Sequence, residues 1–116
     1  MKNKKIFLIL VIIFIIIAAL AFIQSRNSQP SMILFYGDTC PHCQIVKQYI
    51  TDNNITARFN FQELEVYQNK TNASLLGKYA HQCGLDTTQG VGVPFFFDGQ
   101  KCIMGDQDII TYFKEH

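Results

Sequence analysis

This sequence has almost no net charge and no internal repeat. The formal net charge at pH 7 is only +1. A nucleic-acid-binding domain carries a strongly basic surface, so we expect no nucleic-acid partner. No internal repeat occurs, and 116 residues leave room for one domain at most. The sequence therefore predicts a single small domain together with whatever its apolar N-terminal segment contributes.

Charged and polar side chains are absent from residues 6–23. A helix of roughly 17–25 apolar residues is long enough to cross a bilayer. A flank with three lysines, residues 1–5, precedes this run, and only Arg26 follows it closely. Because basic residues collect on the cytoplasmic side of a membrane, we expect the flank to be cytoplasmic and residues 6–23 to be a single-pass signal anchor. The rest of the chain would then lie in the periplasm or at the surface of a bacterial cell.

A cleaved signal peptide is the alternative for the same segment. Ala19-Leu20-Ala21 offers small residues at a spacing that suits signal peptidase. Against cleavage, the apolar run continues through Phe22-Ile23 and exceeds the roughly 7–15 residues usual for a signal peptide. A buried core helix is disfavoured because no face of the segment is polar. The polar residues 24–31 predict a linker, and residues 32–116 the folded domain.

Two cysteines in the run Cys40-Pro41-His42-Cys43 are separated by two residues. The run follows a short apolar stretch, Met32–Tyr36, that predicts a buried strand. It precedes a segment with helical spacing, and Pro41 suits the first turn of a helix because its missing N–H costs nothing there. A pair of cysteines at such a strand–helix junction is typical of a redox-active dithiol.

The remaining elements follow from local patterns in residues 55–116. Phenylalanines alternate with polar residues in the second extended segment, and apolar residues at spacings of three and four predict the later helices. A Gly ends the second helix and an Asp-Gly pair predicts a hairpin turn. The predicted order of elements is β-α-β-α-β-β-α. After the first strand and helix, extended segments are predicted at Ile55–Val66, Val93–Phe97 and Lys101–Met104, and a helix at Asn69–Cys83. The last helix is predicted to begin at Asp106, which would be its N-cap.

This order resembles that of the thioredoxin superfamily. The resemblance rests on the C-x-x-C at the first junction and on Val93-Pro94 about fifty residues later, and it covers Met32 to the C-terminus. The small size and Gly105-Asp106 at the final turn look most like glutaredoxins, which implies a glutaredoxin-like α/β domain. The transmembrane helix predicted from the apolar run would precede this domain. The Cys-Pro-His-Cys run itself looks like the active site of the bacterial oxidant DsbA.

The resemblance implies roles for six residues. Cys40 would be the nucleophile, since the N-terminus of a helix favours a thiolate. Pro41 and His42 would tune it, and the positive charge or hydrogen bond of His42 would stabilise the reduced form and make the disulfide a strong oxidant. Cys43 would be buried and resolve the mixed disulfide. Pro94 would be cis, leaving the Val93 backbone free to pair with a substrate.

Three departures from these families limit what the resemblance implies. The chain has no room for the helical insertion that gives DsbA its substrate groove, and without tryptophan it fits thioredoxin itself poorly. Asp38-Thr39 stands where glutaredoxins have a basic residue, and Met104-Gly105 stands in place of their Gly-Gly pair. Glutathione is therefore doubtful as a partner.

We accordingly expect a membrane-anchored thiol–disulfide oxidoreductase that oxidises protein thiols or relays electrons to them. It would need no organic cofactor and no metal, and a membrane thiol oxidase or electron carrier would regenerate it. A disulfide reductase is the near alternative. A Cu(I) or Zn(II) chaperone is an alternative of another class, with Cys83 or His81 completing a site on the dithiol. A non-catalytic, membrane-anchored binding module is the third alternative.

Cys83 and Cys102 have two interpretations. Free cysteines are often small buried hydrophobic residues. In an oxidising compartment they could instead form a second, structural disulfide, although the sequence does not give the required Cα separation.

Overall fold

The computed structural model describes residues 1–24 and 32–116. Within them a long N-terminal helix precedes a mixed α/β domain. The helices are α1 (Lys2–Gln24), α2 (Pro41–Asp52), α3 (Lys70–Gln82) and α4 (Asp106–Glu115), the strands are β1 (Met32–Tyr36), β2 (Phe61–Glu65), β3 (Phe95–Phe97) and β4 (Cys102–Met104), and a 3-10 turn covers Ile55–Ala57.

Helix α1 is long and apolar enough over Lys2–Ile23 to span a membrane. A signal sequence has the same property, so the helix fits either a single membrane anchor or a signal sequence. Gln24, predicted as the first linker residue, is the last residue of α1. The remainder of the predicted linker, residues 25–31, lies outside the described residues.

The sheet has four strands in the order β2-β1-β3-β4. β1 is central, as its uninterrupted apolar sequence predicts, and pairs in parallel with β2 and antiparallel with β3. β4 returns antiparallel to β3 after a turn in which the N–H of Asp98 donates to the carbonyl of Lys101. The predicted order of elements and the predicted hairpin are thus confirmed.

Side chains alternate between two cores, one on each face of the sheet. Leu34 of β1 and Phe96 of β3 pack against the buried faces of α2 and α4. Their neighbours Phe35 and Phe95 pack on the opposite face against α3. This alternation is the period-2 geometry of a strand, so helices cover both faces and the two central strands are buried on each side.

The prediction of one extended segment over Ile55–Val66 is wrong at its start. Asn54 adopts a left-handed conformation with φ 50°, and Ile55–Ala57 form a 3-10 turn in which Ile55 is completely buried. The strand begins only at Phe61. The apolar side chain that looked like the first residue of a strand fills the core between α2 and α4 instead.

The prediction that Asp106 caps the last helix is also wrong. Gly105 occupies the N-cap position with φ 89°, in a region that favours glycine, and makes no side-chain cap. Asp106 is the first residue inside α4, which leaves its carboxylate available for another partner. The buried face of this helix, formed by Ile109, Ile110 and Phe113, is as predicted.

Candidate active site

The segments that carry the candidate residues meet at one end of the sheet, where strands end or begin. The parallel strands β1 and β2 both end there, and the antiparallel hairpin places the start of β3 and the end of β4 at the same end. The loop before α2, the loop after β2, the segment before β3 and the start of α4 therefore meet, although they are far apart in the sequence.

Cys40 and Cys43 lie at the N-terminus of α2 and are joined by a disulfide, with their Cα atoms 5.2 Å apart. Cys40 is the N-cap, and its Sγ accepts a hydrogen bond of 3.1 Å from the N–H of Cys43. Cys40 is 5% exposed and Cys43 is fully buried. The unpaired N–H groups of a helix N-terminus and its dipole stabilise a negative charge, so a Cys40 thiolate would be favoured here.

The peptide bond between Val93 and Pro94 is cis, and it lies beside the dithiol. The carbonyl oxygen of Val93 is 3.6 Å from Cys40 Sγ. The carbonyl of Pro94 accepts a hydrogen bond of 3.1 Å from the N–H of Gly105, which ties the start of α4 to this segment. Val93 is half-buried and Pro94 is buried.

Three residues that the sequence did not single out, Gly37, Tyr67 and Glu65, shape the loops around the Cys40–Cys43 disulfide. Gly37 accepts a hydrogen bond from the N–H of Cys40, and the ring of Tyr67 lies directly where a side chain on Gly37 would have to be. The carboxylate of Glu65 accepts hydrogen bonds from the N–H groups of Asp38, Tyr67 and Gln68. Glu65 thereby links the loop that follows β1 to the loop that follows β2.

The pKa of Glu65 reflects this role. Partial desolvation raises it, but the backbone N–H groups that bind its carboxylate together outweigh that effect, and the pKa lies below its usual value. Glu65 is therefore ionised wherever the protein is used near neutral pH. No simple sequence signal marks it, because an alternating strand commonly carries a glutamate.

The His42 side chain contacts the start of α4. Its Nδ1 is 3.3 Å from Oδ2 of Asp106, and the two side chains are 68% and 15% exposed. The hydrogen bond from His42 lowers the pKa of the Asp106 carboxyl, against a smaller opposing contribution from desolvation. The sequence placed Asp106 at a helix start but gave no sign of this contact.

Cys83 and Cys102 form a second disulfide with a Cα separation of 6.2 Å. It joins the C-terminal end of α3 to β4, away from Cys40, and closes the loop that carries Val93 and Pro94. Cys83 is thus not beside the dithiol as a third metal ligand, and His81 is exposed on α3. Among residues 1–24 and 32–116, no group of three or more potential ligands is arranged to hold a metal ion.

The arrangement brings six of the predicted residues together: the disulfide pair, Pro41 and His42 within the run, and the cis Val93–Pro94 segment beside it. A disulfide whose first sulfur lies at a helix N-terminus and next to the half-buried Val93 has the surroundings needed for exchange with an incoming thiol. Cys83 and Cys102 stand apart from that chemistry. Asp106, Gly37, Tyr67 and Glu65 are the neighbours that the sequence did not reveal.

Solved structures that are similar to this chain include glutaredoxins. Wheat glutaredoxin superimposes with a TM-score of 0.54 at 23% identity, over 84% of this chain and 82% of its own. A glutaredoxin–glutathione complex from buckwheat gives 0.51 at 20% identity, over 74% and 70%. The holo form of glutaredoxin C1 from Populus tremula x tremuloides gives 0.50 at 22% identity, over 75% and 77%.

No protein-family model matches the sequence, and no curated protein matches it either. At these levels of identity the structural likeness concerns the fold. The predicted glutaredoxin-like fold is confirmed.

Proposed function

We propose that this chain, which has the glutaredoxin fold and a disulfide in a C-x-x-C run, is a thiol–disulfide oxidoreductase. Cys40 and Cys43 are the catalytic pair, Pro41 and His42 tune it, and Val93 with Pro94 receives the substrate backbone. The observation that carries the proposal is the position of Cys40: it is the N-cap of α2, it accepts the Cys43 N–H, and it lies 3.6 Å from the Val93 carbonyl.

In the oxidising direction a substrate thiolate attacks Cys40 Sγ. The bond between Cys40 and Cys43 breaks, Cys43 leaves as a thiolate, and a mixed disulfide joins the substrate to Cys40. A second substrate thiolate then attacks the substrate sulfur of that mixed disulfide and releases Cys40 as a thiolate. Two electrons and two protons pass in total from the substrate dithiol to the protein and its solvent.

The site residues assist particular steps of this exchange. The N–H of Cys43 and the dipole of α2 stabilise the departing Cys40 thiolate, which makes it a better leaving group. In the reducing direction the same thiolate is the attacking group, and Cys43 resolves the mixed disulfide. An extended substrate segment running past the partly exposed Val93 would place its own cysteine next to Cys40.

The apolar helix α1 supports a location at a membrane. We propose that residues 6–23 anchor the protein in a bacterial cell membrane, with residues 1–5 in the cytoplasm and the domain outside it. The second disulfide, Cys83–Cys102, fits an oxidising compartment, where such bonds persist. Protein thiols are then the proposed substrates, with a membrane thiol oxidase or electron carrier regenerating the site.

The test is the equilibrium between the Cys40–Cys43 pair and glutathione buffers, measured on the full chain in detergent. Samples are quenched with acid, alkylated and read by mass spectrometry, which also reports the state of Cys83 and Cys102. A potential near ~ −120 mV would support oxidation of client proteins, and one near ~ −270 mV would support the reductase or relay alternative.

Two variants control this experiment. Cys40→Ser should abolish exchange, because it removes the proposed nucleophile. Replacing Cys83 and Cys102 together by alanine should leave the Cys40–Cys43 equilibrium measurable, because the second bridge lies away from the site. A wild-type pair that does not exchange with glutathione at any ratio, or exchange that survives in Cys40→Ser, would contradict the proposal.

A further inference from the structure

The contact between His42 and Asp106 links the redox motif to an element distant in sequence. His42 Nδ1 lies 3.3 Å from Asp106 Oδ2, and Asp106 is only 15% exposed although it starts a surface helix. Its other side-chain contact is a weaker one of 3.4 Å from Gln107. Because Gly105 is the N-cap, the Asp106 carboxylate does not serve as the cap of α4.

A backbone hydrogen bond also fixes the position of the Asp106 carboxylate. The N–H of Gly105 donates to the carbonyl of Pro94, so the start of α4 is held against the segment that borders Cys40. A helix N-terminus also favours a negative charge in its first turn, which keeps the carboxylate ionised. Asp106 is therefore a fixed anion within reach of the one side chain in the motif that can become a cation.

When the Cys40–Cys43 disulfide is reduced, a protonated His42 side chain would have two candidate anions, the Cys40 thiolate and the Asp106 carboxylate. Interactions that stabilise the thiolate stabilise the reduced form and make the disulfide a stronger oxidant. We propose that Asp106 is a positioning residue that holds His42 away from the Cys40 thiolate, and so makes the pair a weaker oxidant than its Cys-Pro-His-Cys sequence alone would give. This inference rests on the proposed function.

The other charged groups on α2 and α4 have different surroundings. Asp108, also in the first turn of α4, lines a surface hollow with Thr111, Tyr112 and Glu115 of the same helix, and Asp52 at the end of α2 accepts a hydrogen bond of 2.7 Å from the side chain of Gln48. Lys47 of α2 is paired with a glutamate of β2 at 3.3 Å. Lys114 lies near the ring of Tyr49 at the far end of α4, beside Glu115. β4 carries no charged residue.

The test compares the equilibrium constant with glutathione for the full chain in detergent at pH 6, where an ordinary imidazole is largely protonated. In Asp106→Asn, the equilibrium should shift toward the reduced protein by about threefold to tenfold, the effect of one nearby charge in a solvated setting. Asp106→Ser, which also removes the charge, should shift it in the same direction. Asp108→Asn is the matched control, since it removes the same charge from the same helical turn, and should leave the constant unchanged.

A double-mutant cycle tests whether Asp106 acts through His42. In a His42→Gln background the effect of Asp106→Asn should fall to less than about twofold, because no imidazolium is left to release. The inference is overturned if Asp106→Asn has no effect or the opposite effect, or an equal effect in both backgrounds, or if Asp108→Asn matches it. These outcomes require a wild-type pair that exchanges; a pair that never exchanges overturns the proposed function and this inference with it.

Discussion

The second disulfide offers a quantitative test of how this small domain is stabilised. Cys83 and Cys102 are separated by 19 residues, and cross-linking a loop of that length lowers the entropy of the unfolded chain enough to stabilise the folded state by about 3 kcal/mol. Replacing both cysteines by alanine should therefore lower the free energy of unfolding by about this amount. The pair is partly buried among apolar side chains, so alanine leaves no unsatisfied polar group.

The assay is urea unfolding of the full chain in detergent, followed by tyrosine fluorescence. The chain has no tryptophan, and its five tyrosines all lie between residues 36 and 112, so the signal comes from the domain and not from α1. With a slope of roughly 1–3 kcal/mol per molar urea, the loss should lower the midpoint by about 1–3 M. The slope itself should rise, because the unlinked chain exposes more surface when it unfolds.

The Cys40–Cys43 bridge provides the comparison. Its sequence separation is 3, for which the same entropy relation gives only about 1.6 kcal/mol. Cys40→Ser with Cys43→Ala removes this bridge and keeps an oxygen to accept the N-cap hydrogen bond. The reasoning is refuted if the long loop is worth less than about 1 kcal/mol, or if the two bridges are worth the same.

Three further perturbations address the loops and the chemistry. Gly37→Ala should destabilise the domain by about 1–3 kcal/mol in the same assay, because the added methyl group meets the Tyr67 ring. Gly77→Ala is the control: it lies in open space on α3 and should stabilise the domain. Equal effects of the two substitutions would contradict this reasoning. Glu65→Gln should destabilise the domain at pH 7. The folded-state pKa of Glu65 is depressed, so this destabilisation should shrink as the pH falls below the ordinary value of about 4.3 and through the folded pKa; a pH-independent difference would count against it. Cys43→Ala should accumulate a mixed disulfide on mass spectrometry after reaction with a substrate disulfide, and rapid turnover without such a species would contradict the resolving role.

Local patterns in the sequence were sufficient for the order of elements and for the dithiol. The uninterrupted apolar run of β1, the helical spacing of α2 to α4, the Asp98-Gly99 turn and the glycine after α3 each depend on interactions within a few residues. Such signals survive in almost any tertiary context. They fail where a single apolar side chain has two possible uses, as Ile55 shows: its pattern suits a strand, and only the space between α2 and α4 explains the turn that buries it.

The site was predictable in its chemistry but not in its surroundings. Cys40 and Cys43 are named by their spacing and by the strand and helix around them. The partner of His42 is 64 positions away in the numbering, at a helix start that looked like an ordinary cap. Nothing in the local sequence of either residue distinguishes an ion pair from two separate surface side chains.

The sequence by itself determined the apolar N-terminal segment, the strand and helix order, and the position of the cysteine pair at the start of a helix, because hydrophobic periodicity and turn chemistry are local properties of the chain. The tertiary structure alone decided that Cys83 meets Cys102, that Asp106 meets His42 and that Tyr67 leaves no room for a side chain at Gly37. Each of these depends on a distance between segments that the sheet brings to one edge or to one face. Distances of that kind are set by the packing of the whole core and are not encoded in any single stretch of residues.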